Sequence, residues 1–505
     1  MKEILNHIPT ELQKIIEVFE GNPWFWIPDL IFISELCIRI LLSIRIISRK
    51  RPAGITLAWL MVVVLLPGIG ALIYLFIGEN RLGEKRIKRA SMVHGLYNEW
   101  QKKLVHNAFN GWASKPDVLE PLNKHAQTVV GFPTLPDNQL KLLTNYQSIF
   151  SALIADINAA KRMCYLQFYI WQEGGLADDV VNSLLRARER NVNCRILIDG
   201  VGSKPFSRSK TVKKLKAAGV DVTVALPANL LRARYRRVDI RNHRKIAVID
   251  WDIAYTGSQN LVDPRYFKQK QGMGHWIDVM VRFQGPAVEA IGSVFIEDWH
   301  IETGHGTKIQ YREPNFGTHN KTGQVPVQVV PSGPAFRAQA IHRLLLTMLY
   351  AAREKLVITT PYFVPDESIK MALISASQRG VKVTIIVPAQ VDSFLVRHAS
   401  RSLFSEMLDA GVQIAQFRGG LLHTKSITVD QDFCAVGSVN LDMRSFWLNF
   451  EISLFIYDSV FAARVTELQN EYLSDTEILD KLTWQNYPGR KPFAENITRL
   501  LGPLL

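Results

Sequence analysis

Two stretches of this chain place a lysine two residues after a histidine: HRKIAVIDWDIAYTGSQN (243–260) and HTKSITVDQDFCAVGSVN (423–440). They give His243 with Lys245 and His423 with Lys425. Each histidine is followed at +7 by an aspartate (Asp250, Asp430), at +15 by a serine (Ser258, Ser438) and at +17 by an asparagine (Asn260, Asn440). Matches at identical offsets mark an internal duplication. In an extended chain side chains alternate, so each His and Lys point one way, while Asp250 and Asp430, at odd spacing, point the other. Ser and Asn share a face of the strand that follows. Two imidazoles and two ammonium groups meeting at one point suit a phosphodiester. A neutral histidine attacks phosphorus, and a protonated one gives its proton to the departing alcohol. Lys245, Lys425, Asn260 and Asn440 would hold the non-bridging oxygens as charge rearranges.

Downstream, WIDVMVRF (276–283) aligns with NFEISLFI (449–456), setting Asp278 opposite Glu451. These two acids are candidates for orienting the imidazoles through a ring N–H. An extra seven residues before Asp278 weaken its match to Glu451. The cleaner spacing makes Glu451 the expected partner of His423, which favours imidazolium and the general-acid role. His243, among Arg241, Arg244 and Lys245, is expected to stay neutral and act as nucleophile, the exchanged order being the alternative. The four cysteines (Cys37, Cys164, Cys194, Cys434) lie far apart without metal-ligand spacing, so free thiols and neither metal nor cofactor are expected.

These residues need elements to carry them. RNVNCRILIDG (190–200) and RGVKVTIIVPA (379–389) each read as a helix end entering a buried strand, and LQFYIW and VITTPYF read as earlier strands followed by helices. The DWD and DQD segments read as tight turns that fold each His-Lys strand back onto the strand ending in Gly-Ser-x-Asn. The order predicts an α/β fold of two duplicated lobes, each a mixed sheet covered by helices, at 131–325 and 326–505. The natural place for one site is the seam between them.

Residues 55–77, ITLAWLMVVVLLPGIGALIYLFI, carry no charge and match the roughly 20 residues a membrane-crossing helix needs, with a kink expected at Pro67-Gly68. Residues 24–47 are apolar but hold Asp29, Glu35, Arg39 and Arg45, and read as a second span or an interfacial helix, with Trp24 and Trp26 at headgroup level. The expectation is an uncleaved anchor over 1–83, then a polar juxtamembrane linker over 84–130. Basic residues flank the 55–77 span on both sides, and the larger cluster, after it, places the body on the cytoplasmic side. The net charge of +14 favours an anionic partner, and LLRARYRRVDIRNHRK (230–245) concentrates basic residues before the first motif, where an anionic membrane would meet them.

The duplicated HxKx4D with a following GSxN resembles the phospholipase D superfamily. VGSVNLDMRSFWLNFE, its AYTGSQNL counterpart and the N-terminal anchor look like the bacterial cardiolipin synthase branch. The resemblance implies a duplicated phospholipase D-like fold and counts Asp250 and Asp430 in the catalytic set, where strand parity suggests a turn role instead. It implies an enzyme of the bacterial inner membrane that moves a phosphatidyl group between two phosphatidylglycerols through a phosphatidyl-histidine, forming cardiolipin. A hydrolytic phosphodiesterase of the same superfamily is the nearest rival. A nuclease fits the basic charge but not the anchor, so no nucleic acid is expected, and a non-catalytic scaffold would need a degenerate motif.

Overall fold

The computed structural model describes residues 27–49, 53–79, 81–227, 237–267, 274–304, 323–334, 339–485 and 492–500. Two compact units emerge: residues 1–81 with 230–238, and residues 82–229 with 239–505.

In the smaller unit the 55–77 stretch is not one helix. A helix over Ala53–Leu65 stops at Pro67, and Ile69–Ile73 followed by a π turn, Tyr74–Gly78, resumes after it. Pro67 lacks the N–H that would continue the ladder, and Gly68 sits at φ +64°, so the expected kink becomes a break. A Cβ on Gly70 would lie 2.1 Å from the Val62 carbonyl oxygen, so the resumed segment can sit this close to its own helix only as glycine. No helix among the described residues is long and apolar enough to cross a membrane. The longer helix, Ile27–Ile47, keeps its charges paired: Arg39 bonds Glu35, and Arg45 makes a two-point bond to the buried Glu79, which also accepts from the Tyr74 hydroxyl. Large apolar side chains point outward along these helices, among them Phe32, Leu41, Leu57, Met61, Leu65 and Ile69. Trp24, Trp26, Lys50 and Arg51 lie outside the described residues, as do Arg232, Arg234 and Arg236 of the basic run.

The larger unit is built on a 15-stranded sheet. The first lobe contributes β1 (Leu135–Leu143), β2 (Met163–Phe168), β3 (Asn193–Asp199), β4 (Asp221–Ala225), β5 (Ile246–Ile249), β6 (Ile253–Gly257) and β7 (Met280–Gln284). The second contributes β8 (Val325–Ser332), β9 (Lys355–Thr359), β10 (Lys382–Pro388), β11 (Gln413–Phe417), β12 (Ser426–Val429), β13 (Phe433–Gly437) and β14 (Glu451–Ile456), with Thr476–Ile478 added at its edge. The spatial order is 1-7-6-5-2-3-4 in one lobe and 8-14-13-12-9-10-11 in the other, the same path taken twice. β1 and β8 pair antiparallel and join the halves edge to edge. In each lobe two parallel pairs, β2/β3/β4 and β9/β10/β11, meet an antiparallel meander, which is the expected mixed sheet. Helices such as Ala287–Thr303 and Ser459–Ser474 cover it.

The 84–130 stretch differs from the linker expected for it. It forms helices Glu84–Val105 and Leu119–Val130, and Trp100, Leu104, Leu119, Leu122, Ala126 and Val130 join the main core. Its polar residues mask an apolar stripe at helical spacing, which is burial enough to fix it in the body.

Candidate active site

The two motifs enter the site by the same local device in each lobe. Asp250-Trp251 and Asp430-Gln431 all have positive φ, with Asp252 N–H bonding Ile249 and Asp432 N–H bonding Val429, a primed turn that returns each strand on itself. The Asp250 carboxylate accepts the backbone N–H groups of Lys161, Arg162 and Met163, and Asp430 those of Arg353, Glu354 and Lys355. Both aspartates therefore tie the turn to the start of β2 or β9. They stand at the far end of β5 and β12 from the histidines and do not reach the reacting groups, which corrects their inclusion in the catalytic set and agrees with strand parity.

His243–Lys245 and His423–Lys425 lie just ahead of β5 and β12, in extended segments whose histidines pair with the opposite lobe. His243 N–H bonds the Phe450 carbonyl at 2.9 Å, and His423 N–H bonds the Ile277 carbonyl at 2.8 Å. Leu421-Leu422 pairs in parallel with Trp276-Ile277. The extended geometry still sets His and Lys on one side: each lysine Nζ donates to the carbonyl of its own histidine, at 2.7 Å for Lys245 and 2.6 Å for Lys425.

This exchange crosses the carboxylates. His243 Nδ1 lies 2.8 Å from Glu451 Oε2, and His423 Nδ1 lies 2.6 Å from Asp278 Oδ1. The same-lobe partnership of His423 with Glu451 expected from spacing is therefore wrong, although the two acids are equivalent as aligned. Strand alternation puts each acid at the seam, where the nearer imidazole belongs to the other lobe. The seven extra residues before Asp278 leave its position intact. With Nδ1–H donating to the carboxylate, Nε2 is the nitrogen of each ring that keeps its lone pair.

The site is closed off from the surface. His243, Lys245, His423 and Lys425 are all buried, as are Asp278 and Glu451. Burial lowers both imidazoles to about 4, outweighing the carboxylates, and each histidine also feels the lysine of the opposite lobe. Burial lowers Lys245 to about 8 and Lys425 to about 7 against the pull of the two acids. Burial by itself would raise Asp278 and Glu451, but the facing imidazoles and lysines hold both below the ordinary carboxylate range. Arg241 and Arg244, expected to keep His243 neutral by their charge, are committed elsewhere. Arg241 pairs with Asp199 at 3.3 Å, and Arg244 pairs with Asp298 at 2.7 Å while bonding the Glu451 and Ser332 carbonyls across the seam.

The Gly-Ser-x-Asn ends serve this geometry. A Cβ on Gly257 would meet the Val279 carbonyl oxygen at 2.3 Å, and one on Gly437 the Ile452 oxygen at 2.4 Å, so glycine lets each acid-bearing strand lie close. Ser438 donates to Glu451, and the Ser258 hydroxyl accepts the Val279 N–H at 3.0 Å beside Asp278. The serines thus steady the acid segments and do not face a phosphate. Asn260 accepts the Ile170 N–H through Oδ1 and leaves its buried Nδ2 without a partner; Asn440 leaves its buried Oδ1 without one.

Three residues of the site escaped the reading of the sequence. Tyr169 packs its ring 4.9 Å from His243 and 5.5 Å from the Lys245 ammonium. Trp276 lies 4.5 Å from the His423 ring. Asn449 donates to Glu451 Oε1 at 3.1 Å. Trp276 and Asn449 each stand two residues before an orienting acid, a shared offset that would have exposed them.

Residues 153–299 and 345–473 match the family described as cardiolipin synthase, phospholipase D-like domain, and residues 38–79 match the phospholipase D-nuclease N-terminal family. The chain belongs to the phospholipase D-like cardiolipin synthase family. It is 43% identical over 463 residues to cardiolipin synthase A of Yersinia pseudotuberculosis (serotype O:1b), covering 92% of this chain and 95% of that protein. The Yersinia pestis cardiolipin synthase A matches to the same extent, 43% over 463 residues and the same 92% and 95%. The phosphatidylserine synthase of Haemophilus influenzae shares the fold, with a TM-score of 0.58 at 16% identity, over 76% of this chain and all of that one.

Proposed function

We propose that the protein is a membrane-bound phosphatidyltransferase that joins two phosphatidylglycerols into cardiolipin and releases glycerol. The observation that carries the reading is the crossed pair of His–carboxylate contacts with both lysines beside them. It supplies a nucleophile, an acid and two cations in one buried site, and the names of the relatives supply the product class.

In the first step Nε2 of one histidine attacks phosphorus as the other, protonated once the substrate phosphate brings its negative charge into the cleft, gives its proton to the glycerol oxygen. In the second, that histidine takes the proton of the incoming glycerol hydroxyl, whose oxygen displaces the first histidine and regenerates it. Lys245 and Lys425 hold the non-bridging oxygens, and Asn260 Nδ2 offers a further donor. His243 is assigned the attack, on new grounds. Each acid has a serine beside it, Ser438 for Glu451 and Ser258 for Asp278, but Glu451 also accepts from Asn449, a donor with no counterpart at Asp278 among the described residues. The less satisfied carboxylate is the stronger base toward its imidazole, so His423 is the better proton holder.

The outward apolar side chains of the 1–81 unit support its burial in lipid, with the bacterial inner membrane as the location and the larger unit on the cytoplasmic side. The match to the N-terminal family over 38–79 supports the same role. Phosphatidylglycerol vesicles, a chelator and product identification test the whole reading. Cardiolipin with glycerol is the expected outcome, phosphatidic acid alone makes the enzyme a hydrolase, and no turnover removes the proposal.

A further inference from the structure

Among the described residues, the two lobes hold different groups at the carboxyl ends of their parallel strands. At the carboxyl ends of β2, β3 and β4, among the described residues, Trp171 stacks on Phe206 at 4.9 Å, and Asp199 takes up Arg241 together with the N–H groups of Val201, Gly202 and Asn242. At the same ends of β9, β10 and β11 the second lobe is open. A cavity of about 120 Å³ lies between the sheet and the helix Phe394–Asp409, lined by Pro361, Pro388, Arg397, Ser400, Phe404 and Gln416. One water needs roughly 10–15 Å³ of such space, so the cavity takes a group of several heavy atoms but no acyl chain.

Its position ties it to the chemistry. Pro361 follows Thr360, whose hydroxyl accepts the N–H of Leu441, the residue after Asn440. Tyr362, next in the chain, bonds Asp392, the residue after the cavity-lining Val391, at 2.7 Å, and Phe363 pairs with Leu441. Its chemistry is that of a polyol attached to phosphate. Arg397 reaches in from an exposed position, while Ser400 and Gln416, both largely buried, supply hydrogen-bonding groups. Arg401, also on this wall, is held 3.4 Å from Glu495. Phe394 and Leu395 stand exposed one turn before Arg397, an apolar lip suited to a lipid whose tails stay outside.

We propose that this second-lobe cavity is the acceptor subsite, which takes the phosphoglycerol headgroup of the second phosphatidylglycerol and presents its hydroxyl to the phosphatidyl-histidine. The inference rests on the transferase reading and explains how it resists hydrolysis: a retained alcohol competes with water for the same intermediate. Two identical lipids play different roles, and a cavity beside the site gives the second of them a place of its own.

The test is the product ratio in the full-length, detergent-solubilised protein supplied with phosphatidylglycerol. Arg397→Ala and Gln416→Leu are each expected to lower the ratio of cardiolipin to phosphatidic acid about tenfold, the scale of one lost hydrogen bond to a charged group. Arg397→Lys, which keeps the charge, is expected to restore part of it. Soluble glycerophosphoglycerol, added in competition, should divert the phosphatidyl group in the wild type and not in Arg397→Ala. An unchanged ratio in both variants overturns the proposal, as does a parallel fall of both products, which would place these residues in the common chemistry. A wild-type protein that forms no cardiolipin is a different result, and it removes the transferase reading instead.

Discussion

Changing Glu451 to Gln probes the crossed geometry most directly. The substitution keeps shape and, through the amide oxygen, the contact to Asn449, but it removes the charge facing His243 Nδ1 at 2.8 Å and the acceptor that Ser438 donates to. Loss of a hydrogen bond to a charged group costs about 1.5–3 kcal/mol, or roughly 10- to 150-fold in rate. A second effect adds to it. An amide can donate to Nδ1, which moves the ring proton to Nε2 and removes the lone pair needed for attack; a carboxylate-to-amide change behind a catalytic histidine lowers kcat by about 10⁴. Asp278→Asn should do the same to His423. The assay compares phosphatidylglycerol with a phosphodiester bearing a p-nitrophenyl leaving group, which needs little acid help. Variants that cripple the acid recover the single-turnover release of p-nitrophenol from the activated substrate, and variants that cripple the nucleophile do not. Crossing requires Glu451→Gln to behave like His243→Asn, and Asp278→Asn like His423→Asn. If Glu451→Gln instead tracked His423→Asn, the carboxylates would serve their own lobes and the reasoning would fail.

Lys245→Met and Lys425→Met should each cut kcat by about 10²–10³ through loss of a fixed charge at the phosphoryl oxygens, while thermal melting shows no loss of stability, since burial already penalises both ammonium groups. The rate should also fall as pH rises through about 7, where Lys425 loses its proton, and Lys425→Arg should move that limb to higher pH if the fork is accommodated. Both imidazoles bind protons less readily folded, at about 4, than in the unfolded chain at about 6.5, so the unfolded state takes up more protons between these values. Stability contributed by these groups is present above pH 6.5 and lost as pH falls toward 4; denaturant midpoints in His243→Asn and His423→Asn should show a shallower acid dependence. Asp250→Ala and Asp430→Ala each strip a carboxylate from three backbone N–H groups and should lower unfolding free energy by about 1–3 kcal/mol, with near-normal kcat in the folded protein.

Much of the fold was legible because the chain states it twice. The offsets that repeat from His243 to Asn260 and from His423 to Asn440 describe a strand, a primed turn and a return strand, all local features. Parity along those strands was enough to turn Asp250 and Asp430 away from the lysines. Elements whose fate depends on distant partners were less legible. Residues 84–130 looked like a polar linker because the stripe of Trp100, Leu104, Leu122 and Ala126 gains meaning only against the core it meets. The apolar run at 55–77 predicted one span, but Pro67 and the positive φ of Gly68 divide it.

The sequence by itself determined which groups could do the chemistry: two histidines, two lysines, two asparagines and two acids, in two sets. Their assembly was decided by tertiary structure alone. Spacing within one copy made Glu451 the partner of His423, because sequence distance is the only distance a sequence displays. The two half-sheets join through β1 and β8 and trade the lead-in segments of their motifs, so each imidazole meets the carboxylate of the other lobe. That exchange depends on backbone hydrogen bonds between residues about 150–200 positions apart, which no local pattern encodes. The same docking buries the lysines and lowers the affinity of all four basic groups for protons, a property of the closed seam and of no residue in it.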